Sequence, residues 1–274
     1  MTLDARVAAL RRLASEDVVP AVQELVLLSS SGEVVLQKEA PGLGGLVGLR
    51  RPFRLRLEAG LPASESAVVF GAIATSVPAE LWRQRSVVEL GCGSGYVGLV
   101  LSCLGARVTL TDLPEYEDKI LSSIAANVAE IKCLGCLDWA APRANPRAAY
   151  ALRCASVVLA IDPVVCQHSQ QSFLTLLKAI FGLEGPPLCP DLQGCIVAHK
   201  HQQNFCVGGY SAPSKDAAPS ITHSDSCDRC TFRRALEDAG VTVRTFEIPP
   251  PREFVHPFIE CWELGLRRKG VLIP

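Results

Sequence analysis

The period of the apolar positions divides the chain into two parts. In the first 62 residues the apolar positions first recur at helical spacing and then alternate, which predicts a short helix, a β-hairpin and a half-exposed strand. These elements are predicted at residues 4–14, at 24–28 paired with 33–37, and at 53–58. We interpret residues 1–62 as an N-terminal α/β-hairpin extension and residues 63–274 as the main domain.

Beyond residue 63, short apolar runs alternate with segments of helical spacing. The predicted strands are 87–90, 106–111, 132–137, 155–161, 194–200, 241–248 and 254–264. The predicted helices are 64–77, 96–104, 116–130, 168–181 and 230–239. Alternation of this kind is typical of an α/β fold with a doubly wound, largely parallel sheet. The polar, serine-rich residues 201–226 are predicted to form a long surface loop.

The first predicted strand of the main domain ends in a glycine-rich turn. Gly91, Gly93 and Gly95 alternate there, and residues 93–98 satisfy the dinucleotide pattern GxGxxG. Glycine permits a tight turn, a close approach of the backbone to a ligand and close packing of the next helix. The pattern alone leaves open several nucleotide cofactors and a turn that binds nothing.

Two acidic residues narrow the choice of ligand. Glu89 lies inside an apolar strand, where an unpaired carboxylate would be costly, so it needs a partner. Asp112 ends the next apolar run, about 20 residues beyond the turn, where a carboxylate can accept hydrogen bonds from the ribose hydroxyls. Asp112 by itself would suit NAD equally well.

Composition and charge give no sign of a nucleic-acid or membrane partner. Hydrophobic residues make up 49% of the chain, enough for a sizeable core, and 27 basic residues nearly balance 28 acidic ones. No apolar run approaches the roughly 20 residues of a transmembrane span, and no signal-peptide pattern begins the chain. We expect a monomer located in the cytoplasm or the nucleus.

The chain has twelve cysteines, most of them inside apolar runs, where cysteine behaves as a small core residue. Cys133 with Cys136, and Cys227 with Cys230, have the CxxC spacing of zinc ligands. If the strands of the sheet have the order 3-2-1-4-5-7-6, the two pairs lie about 19 Å apart, four strand spacings of 4.8 Å, which disfavours a shared site. A disulfide or redox role for the second pair is a weak alternative.

Three histidines are also candidates for chemistry. His168, His199 and His201 form no paired metal motif, so we expect no metal. His199 ends the fifth predicted strand of the main domain and is the nearest of the three to the predicted substrate side.

Taken together, the motifs resemble those of a known family. The segments 89–99, 111–113, 137–139 and 159–163 are similar to those of methyltransferase-like (METTL) protein-lysine methyltransferases, methyltransferase family 16. The resemblance covers roughly residues 64–264 in motif order. It implies the Rossmann-like, seven-stranded fold of that superfamily, with strand order 3-2-1-4-5-7-6 and the last strand antiparallel. It also implies S-adenosyl-L-methionine (AdoMet) as the cofactor and a lysine-bearing protein as the substrate.

The resemblance assigns a cofactor contact to each matching position. Glu89 would hold the methionine part, Asp112 with Leu113 the ribose region, Trp139 the adenine, and the backbone of Ile161 a further contact. The glycines of the turn, Gly91, Gly93 and Gly95, would face the cofactor, and Phe70 would stand near the place of a tryptophan found in relatives. An indole stacked on a purine is worth about 1–3 kcal/mol. A core tryptophan at a strand end is the alternative for Trp139.

Asp162, which follows the fourth predicted strand, is the predicted catalytic residue. A carboxylate at the open edge of an α/β sheet can orient an incoming amine and stabilise its charge during in-line methyl transfer. The family motif that begins here has an aromatic residue where this chain has Val165, which leaves lysine specificity open. The alternative for Asp162 is a turn or helix-capping carboxylate before Pro163.

Other functions remain open at this stage. One is an AdoMet-binding scaffold without catalysis, and another is a methyltransferase that acts on histidine, arginine or a small molecule. An NAD-dependent oxidoreductase would leave Glu89 and Trp139 unexplained.

Overall fold

The computed structural model describes most of the main domain and one N-terminal hairpin. The described residues are 23–28, 34–40, 63–127, 131–135, 137–164, 167–209, 220–246, 256, 258–268 and 271–273. The helix predicted at 4–14 and the strand predicted at 53–58 lie outside the described residues, as do Cys136 and Val165.

Twelve β-strands lie within the described residues. They are β1 (Gln23–Leu28), β2 (Val34–Ala40), β3 (Ser86–Leu90), β4 (Arg107–Asp112), β5 (Lys132–Gly135), β6 (Val157–Ile161), β7 (Gly194–Lys200), β8 (Val207–Gly209), β9 (Ser220–Thr222), β10 (Val241–Thr245), β11 (Ile259–Arg268) and β12 (Val271–Ile273).

Six α-helices lie within the same residues. They are α1 (Glu65–Ser76), α2 (Tyr96–Cys103), α3 (Glu117–Asn127), α4 (Pro146–Arg153), α5 (Gln167–Phe181) and α6 (Asp228–Asp238), with short 3-10 turns at Ala79–Leu81 and Pro114–Tyr116. None of these helices has the length and apolar character needed to cross a bilayer.

The central sheet has the predicted strand order. Its strands follow one another as β5-β4-β3-β6-β7-β11-β10, which is 3-2-1-4-5-7-6 when they are counted along the main domain. The neighbouring strands from β5 through β4, β3 and β6 to β7 pair in parallel. Strand β11 is antiparallel to its neighbours β7 and β10. The short strand β12 adds an unpredicted eighth strand beside the end of β11. The predicted N-terminal hairpin is present as the antiparallel pair of β1 and β2.

Each face of the sheet carries its own apolar core. In β6, Leu159 faces the core shared with α1, α2 and α3, whereas Val158 and Ala160 face the core shared with α4, α5 and α6. A strand buried on both faces reads as a continuous apolar run, which is the pattern seen at 155–161.

Two local elements differ from the prediction. Helix α4 was not predicted from periodicity, although Asn145 caps it through bonds from two backbone amides and Pro146 stands at its first turn. An Asn-Pro pair is a helix-start signal, so the sequence did hold the information. The segment 201–226 is not a continuous loop, because β8 and β9 pair within it as a small antiparallel hairpin.

Helix α2 packs closely on the sheet at Gly98, and a substitution there tests this packing. A Cβ atom on Gly98 would lie 2.3 Å from Leu110 Cδ2 and 2.8 Å from Glu89 Oε2. We expect Gly98→Ala to lower the free energy of unfolding by about 1–3 kcal/mol, because overpacking displaces core side chains. Urea unfolding measures the effect. Gly194→Ala is the matched control, since no described atom lies within 4 Å of a Cβ there; equal losses in the two variants would contradict the packing argument.

Candidate active site

Several of the predicted site residues lie at the carboxyl ends of neighbouring strands in the central sheet. The glycine turn follows β3, Asp112 ends β4 and Asp162 follows β6. Because β4, β3 and β6 are adjacent parallel strands, their carboxyl ends lie side by side. The chain order reverses between β3 and β6, which is where open α/β sheets form their ligand crevice.

The backbone of the turn requires its three alternating glycines. Gly91, Gly93 and Gly95 have φ values of 61°, 55° and 71°, in the left-handed region that most side chains disfavour. Gly95 is also the N-cap residue of α2. The turn therefore leads directly into the N-terminus of a helix, an arrangement that suits polar and anionic ligand groups.

Asp112 ties the end of β4 to the glycine turn. Its Oδ2 accepts a hydrogen bond from the Gly93 amide at 2.6 Å, and its Oδ1 accepts one from the Leu113 amide at 2.7 Å. Burial raises the pKa of Asp112 above its ordinary value, while the two amide bonds act in the opposite direction. Each carboxylate oxygen can accept a second bond, so the predicted contact with ribose hydroxyls remains open to it. Leu113 beside it is 52% exposed.

Glu89 finds its partner within the chain. Its Oε2 accepts a hydrogen bond from the Gly98 amide in the first turn of α2 at 2.8 Å, and the residue is buried. Burial is the main cause that raises the pKa of Glu89 to about 8; the Gly98 bond lowers it and the charge of Asp112 raises it further. Gly98 is thus a site residue that the predicted cofactor set omitted. The role of Glu89 toward the methionine part of a cofactor stays a prediction.

Trp139 lies against the glycine turn. A Cβ atom on Gly91 would come within 3.0 Å of the Trp139 ring, and the ring centroids of Trp139 and Phe173 are 5.0 Å apart. The indole is half-buried, whereas Phe173 is fully buried in the core under α5. Trp139 therefore joins the core on one side and keeps surface at the turn, where the predicted adenine contact would lie.

Two apolar side chains among the predicted cofactor contacts, Phe70 and Ile161, are buried. Phe70 has no exposed surface and packs in the core on the α1 face, so its side chain has nothing to offer a ligand and the predicted contact lacks support. Ile161 is also buried at the end of β6, and the contact implied for it is made by its backbone. Beside Phe70, Gly71 lets α1 approach Tyr96 of α2, because a Cβ there would lie 2.8 Å from the Tyr96 ring.

Asp162 connects three elements at the carboxyl edge. Its Oδ1 accepts bonds from the hydroxyl of Ser66 in α1 and from the amide of Lys200 in β7, each at 2.9 Å. Its own amide donates to the carbonyl of Ala198 at 2.8 Å. Asp162 thus links distant elements, which differs from the turn or helix-capping role given as its alternative. A carboxylate can accept about four bonds, so Asp162 retains capacity for a substrate amine.

The backbone of Asp162 is unusual for a residue with a side chain. Its φ is 49°, in the left-handed region, where aspartate and asparagine are tolerated better than most residues. Strained backbone of this kind tends to lie at functional sites when the surrounding contacts hold it in place. The bonds from Ser66 and Lys200 supply that restraint.

A charged cluster lies between the start of α1 and the end of β7, next to the residues that bond Asp162. Lys200 Nζ forms an ion pair with Glu65 Oε2, and His256 Nε2 lies 3.8 Å from the same carboxylate oxygen. Burial, the largest cause, and the charge of Lys200 lower the pKa of His256, while Glu65 raises it. Ser66, Glu65 and Lys200 were not among the predicted site residues, because only the fold brings the start of α1 beside the end of β7.

His168 and His199, two of the histidines predicted as candidates, lie outside this group. His199 is fully buried on the opposite face of β7 from Lys200, and its ring stands edge-on to Trp262 with centroids 3.9 Å apart. Neither ring nitrogen has a hydrogen-bond partner among the described residues, and burial lowers the pKa of His199 well below its ordinary range. His168 is exposed at the start of α5. His199 is therefore a core residue rather than part of the candidate active site.

Several solved methyltransferase structures are similar to this chain. The magnesium protoporphyrin IX methyltransferase of Synechocystis PCC 6803 with bound SAH is 15% identical, with a TM-score of 0.44 over 74% of this chain and 83% of that one. The mitomycin 7-O-methyltransferase MmcR is also 15% identical, with a TM-score of 0.48 over 74% of this chain and 54% of that one.

Sequence comparison places the chain more narrowly. EEF1A lysine methyltransferase 3 of Xenopus tropicalis is 46% identical over 48 residues, which is 18% of this chain and 21% of that protein. Protein-lysine methyltransferase METTL21E of Mus musculus is 45% identical over 49 residues, 18% of this chain and 20% of that protein. The chain thus spans about a fifth of the length of these curated relatives. The lysine methyltransferase family matches residues 63–205, just over half of the chain. The chain belongs to the lysine methyltransferase family.

The buried carboxyl of Glu89 predicts how stability depends on pH. Its pKa is about 8 in the folded chain against an ordinary value of 4.5, so between these pH values the folded state holds a proton that the unfolded state has lost. The free energy of unfolding should therefore fall as pH rises through this window, by on the order of 4 kcal/mol. Urea unfolding of the cofactor-free protein across this range of pH measures the slope.

The matched variant is Glu89→Gln, which keeps an oxygen acceptor for the Gly98 amide and cannot ionise. We expect its slope to be flatter than that of the wild type, whereas Glu80→Gln at an exposed position should leave the slope unchanged. An undiminished slope in Glu89→Gln would assign the pH dependence to other groups.

Proposed function

We propose that this chain is an AdoMet-dependent protein-lysine N-methyltransferase. The observation that carries the proposal is that Asp112, the glycine turn and Asp162 follow or end the adjacent parallel strands β4, β3 and β6, in a member of the lysine methyltransferase family. The substrate is proposed to be a lysine side chain of a protein. A monomer in the cytoplasm or the nucleus remains the accompanying proposal.

The cofactor half of the proposed site lies over the glycine turn. Asp112 would accept bonds from the ribose hydroxyls, and the exposed Leu113 and half-buried Trp139 would flank the adenine. Glu89, which accepts a bond from the Gly98 amide, would hold the methionine part near the end of β3. When bound, AdoMet supplies a methyl group on a sulfonium, which a nucleophile can take directly without a covalent enzyme intermediate.

Asp162 is proposed to prepare the substrate amine. A lysine must lose its proton before it can attack, and the low-polarity surroundings of a cleft favour the neutral amine. The Asp162 carboxylate can accept a hydrogen bond from that amine, align its lone pair with the methyl group, and stabilise the positive charge that forms on nitrogen. Because Ser66 and Lys200 already fix one carboxylate oxygen, little reorganisation is needed when the substrate binds.

The first test is transfer of radiolabelled methyl from AdoMet to proteins of an extract from the source cells, followed by acid hydrolysis. We expect the label in methyl-lysine, and its loss with Asp112→Ala, since that variant removes the acceptor for both the Gly93 amide and the ribose. Label in methyl-histidine, methyl-arginine or a small molecule would replace the proposed substrate class. Measurable AdoMet binding without any transfer would indicate a scaffold.

A second test isolates Asp162. Asp162→Asn has nearly the same shape, tolerates a left-handed backbone and keeps an oxygen for Ser66 and Lys200, but it lacks the negative charge. We expect kcat to fall by about 10²–10³, the usual effect of removing one electrostatic stabiliser, while AdoMet binding stays within a few-fold of wild type. Asp191→Asn, at an exposed position, is the control. Unchanged kcat in Asp162→Asn would leave Asp162 with its structural role alone.

A further inference from the structure

A second group of reactive side chains lies beyond the end of β7, on the side of α6. It consists of two histidines and three cysteines that come from three separate segments of the chain. The members are His201 and Cys206 after β7, His223 after β9, and Cys227 and Cys230 at the start of α6. None of them belongs to the candidate active site.

Four distances within this group match the edges of a metal-centred tetrahedron. Zn–S bonds of about 2.3 Å and Zn–N bonds of about 2.0 Å set ligand-to-ligand edges of about 3.5–3.8 Å. His201 Nδ1 lies 3.7 Å from Cys206 Sγ, 3.7 Å from Cys227 Sγ and 3.6 Å from Cys230 Sγ. Cys206 Sγ lies 3.6 Å from Cys230 Sγ, too far for a disulfide.

Hydrogen bonding alone does not account for this convergence. The Nδ1 atom of a neutral imidazole offers one lone pair, so it can accept one thiol proton rather than three. Three sulfur atoms nevertheless lie at nearly equal distances from Nδ1 of His201. A single cation among the four atoms would satisfy all of them together.

The hydrogen bond at Nε2 of His201 sets the tautomer of its ring. Nε2 lies 3.0 Å from Glu260 Oε2, and the same oxygen accepts a bond from Trp262 Nε1 at 2.9 Å. Because a carboxylate accepts hydrogen bonds, the proton of His201 belongs on Nε2, which leaves Nδ1 bare and directed at the sulfur atoms. A metal-bound histidine usually has such a carboxylate partner.

The backbone around the cysteines is also ordered by local contacts. Cys227 is the N-cap residue of α6, and Cys230 lies in the first turn of the same helix, so the CxxC pair occupies a helix N-terminus. Gln202 links the two segments, because its carbonyl accepts from the Cys206 amide at 2.9 Å and its side-chain oxygen accepts from the Asp228 amide at 3.1 Å. The three cysteines are buried in a small cluster separate from the two main cores.

We propose that His201, Cys206, Cys227 and Cys230 form a zinc site. Three thiolates and one imidazole favour Zn²⁺ among the common divalent ions, and four protein ligands leave no open position for catalysis. The expectation of no metal rested on the distance between the two CxxC pairs and on the lack of a paired histidine motif, and it did not combine Cys227 and Cys230 with a histidine. Cys133 does lie on the edge strand β5, and the two further ligands come instead from the segment after β7.

His223 is the competing fourth ligand. Its Nδ1 lies 3.4 Å from Cys230 Sγ, but its side chain is 40% exposed, whereas Cys227 is fully buried. A closed zinc site is shielded from water, which favours Cys227. In this arrangement the metal clamps the segment after β7 to α6, one residue beyond Lys200, whose amide holds Asp162.

The test begins with the metal content of the full chain, purified under reducing conditions without chelators and measured by plasma mass spectrometry. We expect about one zinc per chain, and a lower melting temperature after removal of the metal by a chelator. Replacement by cobalt should give the strong visible bands of a tetrahedral site and the near-ultraviolet charge-transfer bands of thiolate ligands. A folded chain that holds neither metal, or a disulfide between two of the three cysteines under these conditions, would overturn the proposal.

Variants then assign the ligands. Cys206→Ser, Cys227→Ser and Cys230→Ser should each lose most of the bound zinc, whereas Cys154→Ser, at an exposed position, should keep it. His223→Ala should keep both the zinc and the thiolate bands. If Cys227→Ser kept its zinc and His223→Ala lost it, the assignment of Cys227 as a ligand would be overturned. The cobalt spectrum of the wild type tests the site even where a variant fails to fold.

Discussion

Two acidic side chains hold the glycine turn, and the candidate active site depends on this pair of hydrogen bonds. Asp112, at the end of the neighbouring strand β4, accepts a hydrogen bond from the Gly93 amide. Glu89, in β3, accepts one from the Gly98 amide in the first turn of α2. The turn is thereby fixed to β3 and β4 before any ligand binds. Because Trp139 rests against Gly91, the proposed adenine surface is positioned by the same turn.

The proposed substrate half depends on a different restraint. Asp162 stands in a left-handed conformation at the end of β6 and is held by Ser66 from α1 and Lys200 from β7. Helix α1 therefore does more than cover the sheet, since its first turn helps to orient the proposed catalytic carboxylate. The buried hydroxyl of Ser66 is satisfied by the same bond, which makes the contact costly to break.

Strand β7 links the two sites through the alternation of its side chains. Lys200 points to the α1 face, where it contacts Glu65, while His199 packs on Trp262 on the opposite face. His201, the next residue, directs its ring to the cysteines of the proposed zinc site. A metal bound to His201 would restrain the chain directly after Lys200, whose amide bonds Asp162. The proposed zinc site could therefore help to hold Asp162 in place in the candidate active site.

The local pattern of the sequence determined the alternation of strands and helices along the chain, the glycine turn, and the acids Glu89 in β3 and Asp112 at the end of β4. Each of these follows from apolar period or from backbone needs within a few residues, and Asn145-Pro146 was a readable signal of the same kind. Only the tertiary structure decided that Phe70 is core, that Ser66 reaches Asp162 across 96 positions, and that His201 meets the cysteines. The period of the apolar positions shows which face of a helix or strand is apolar. A contact between distant segments depends instead on how the sheet brings the ends of those segments together.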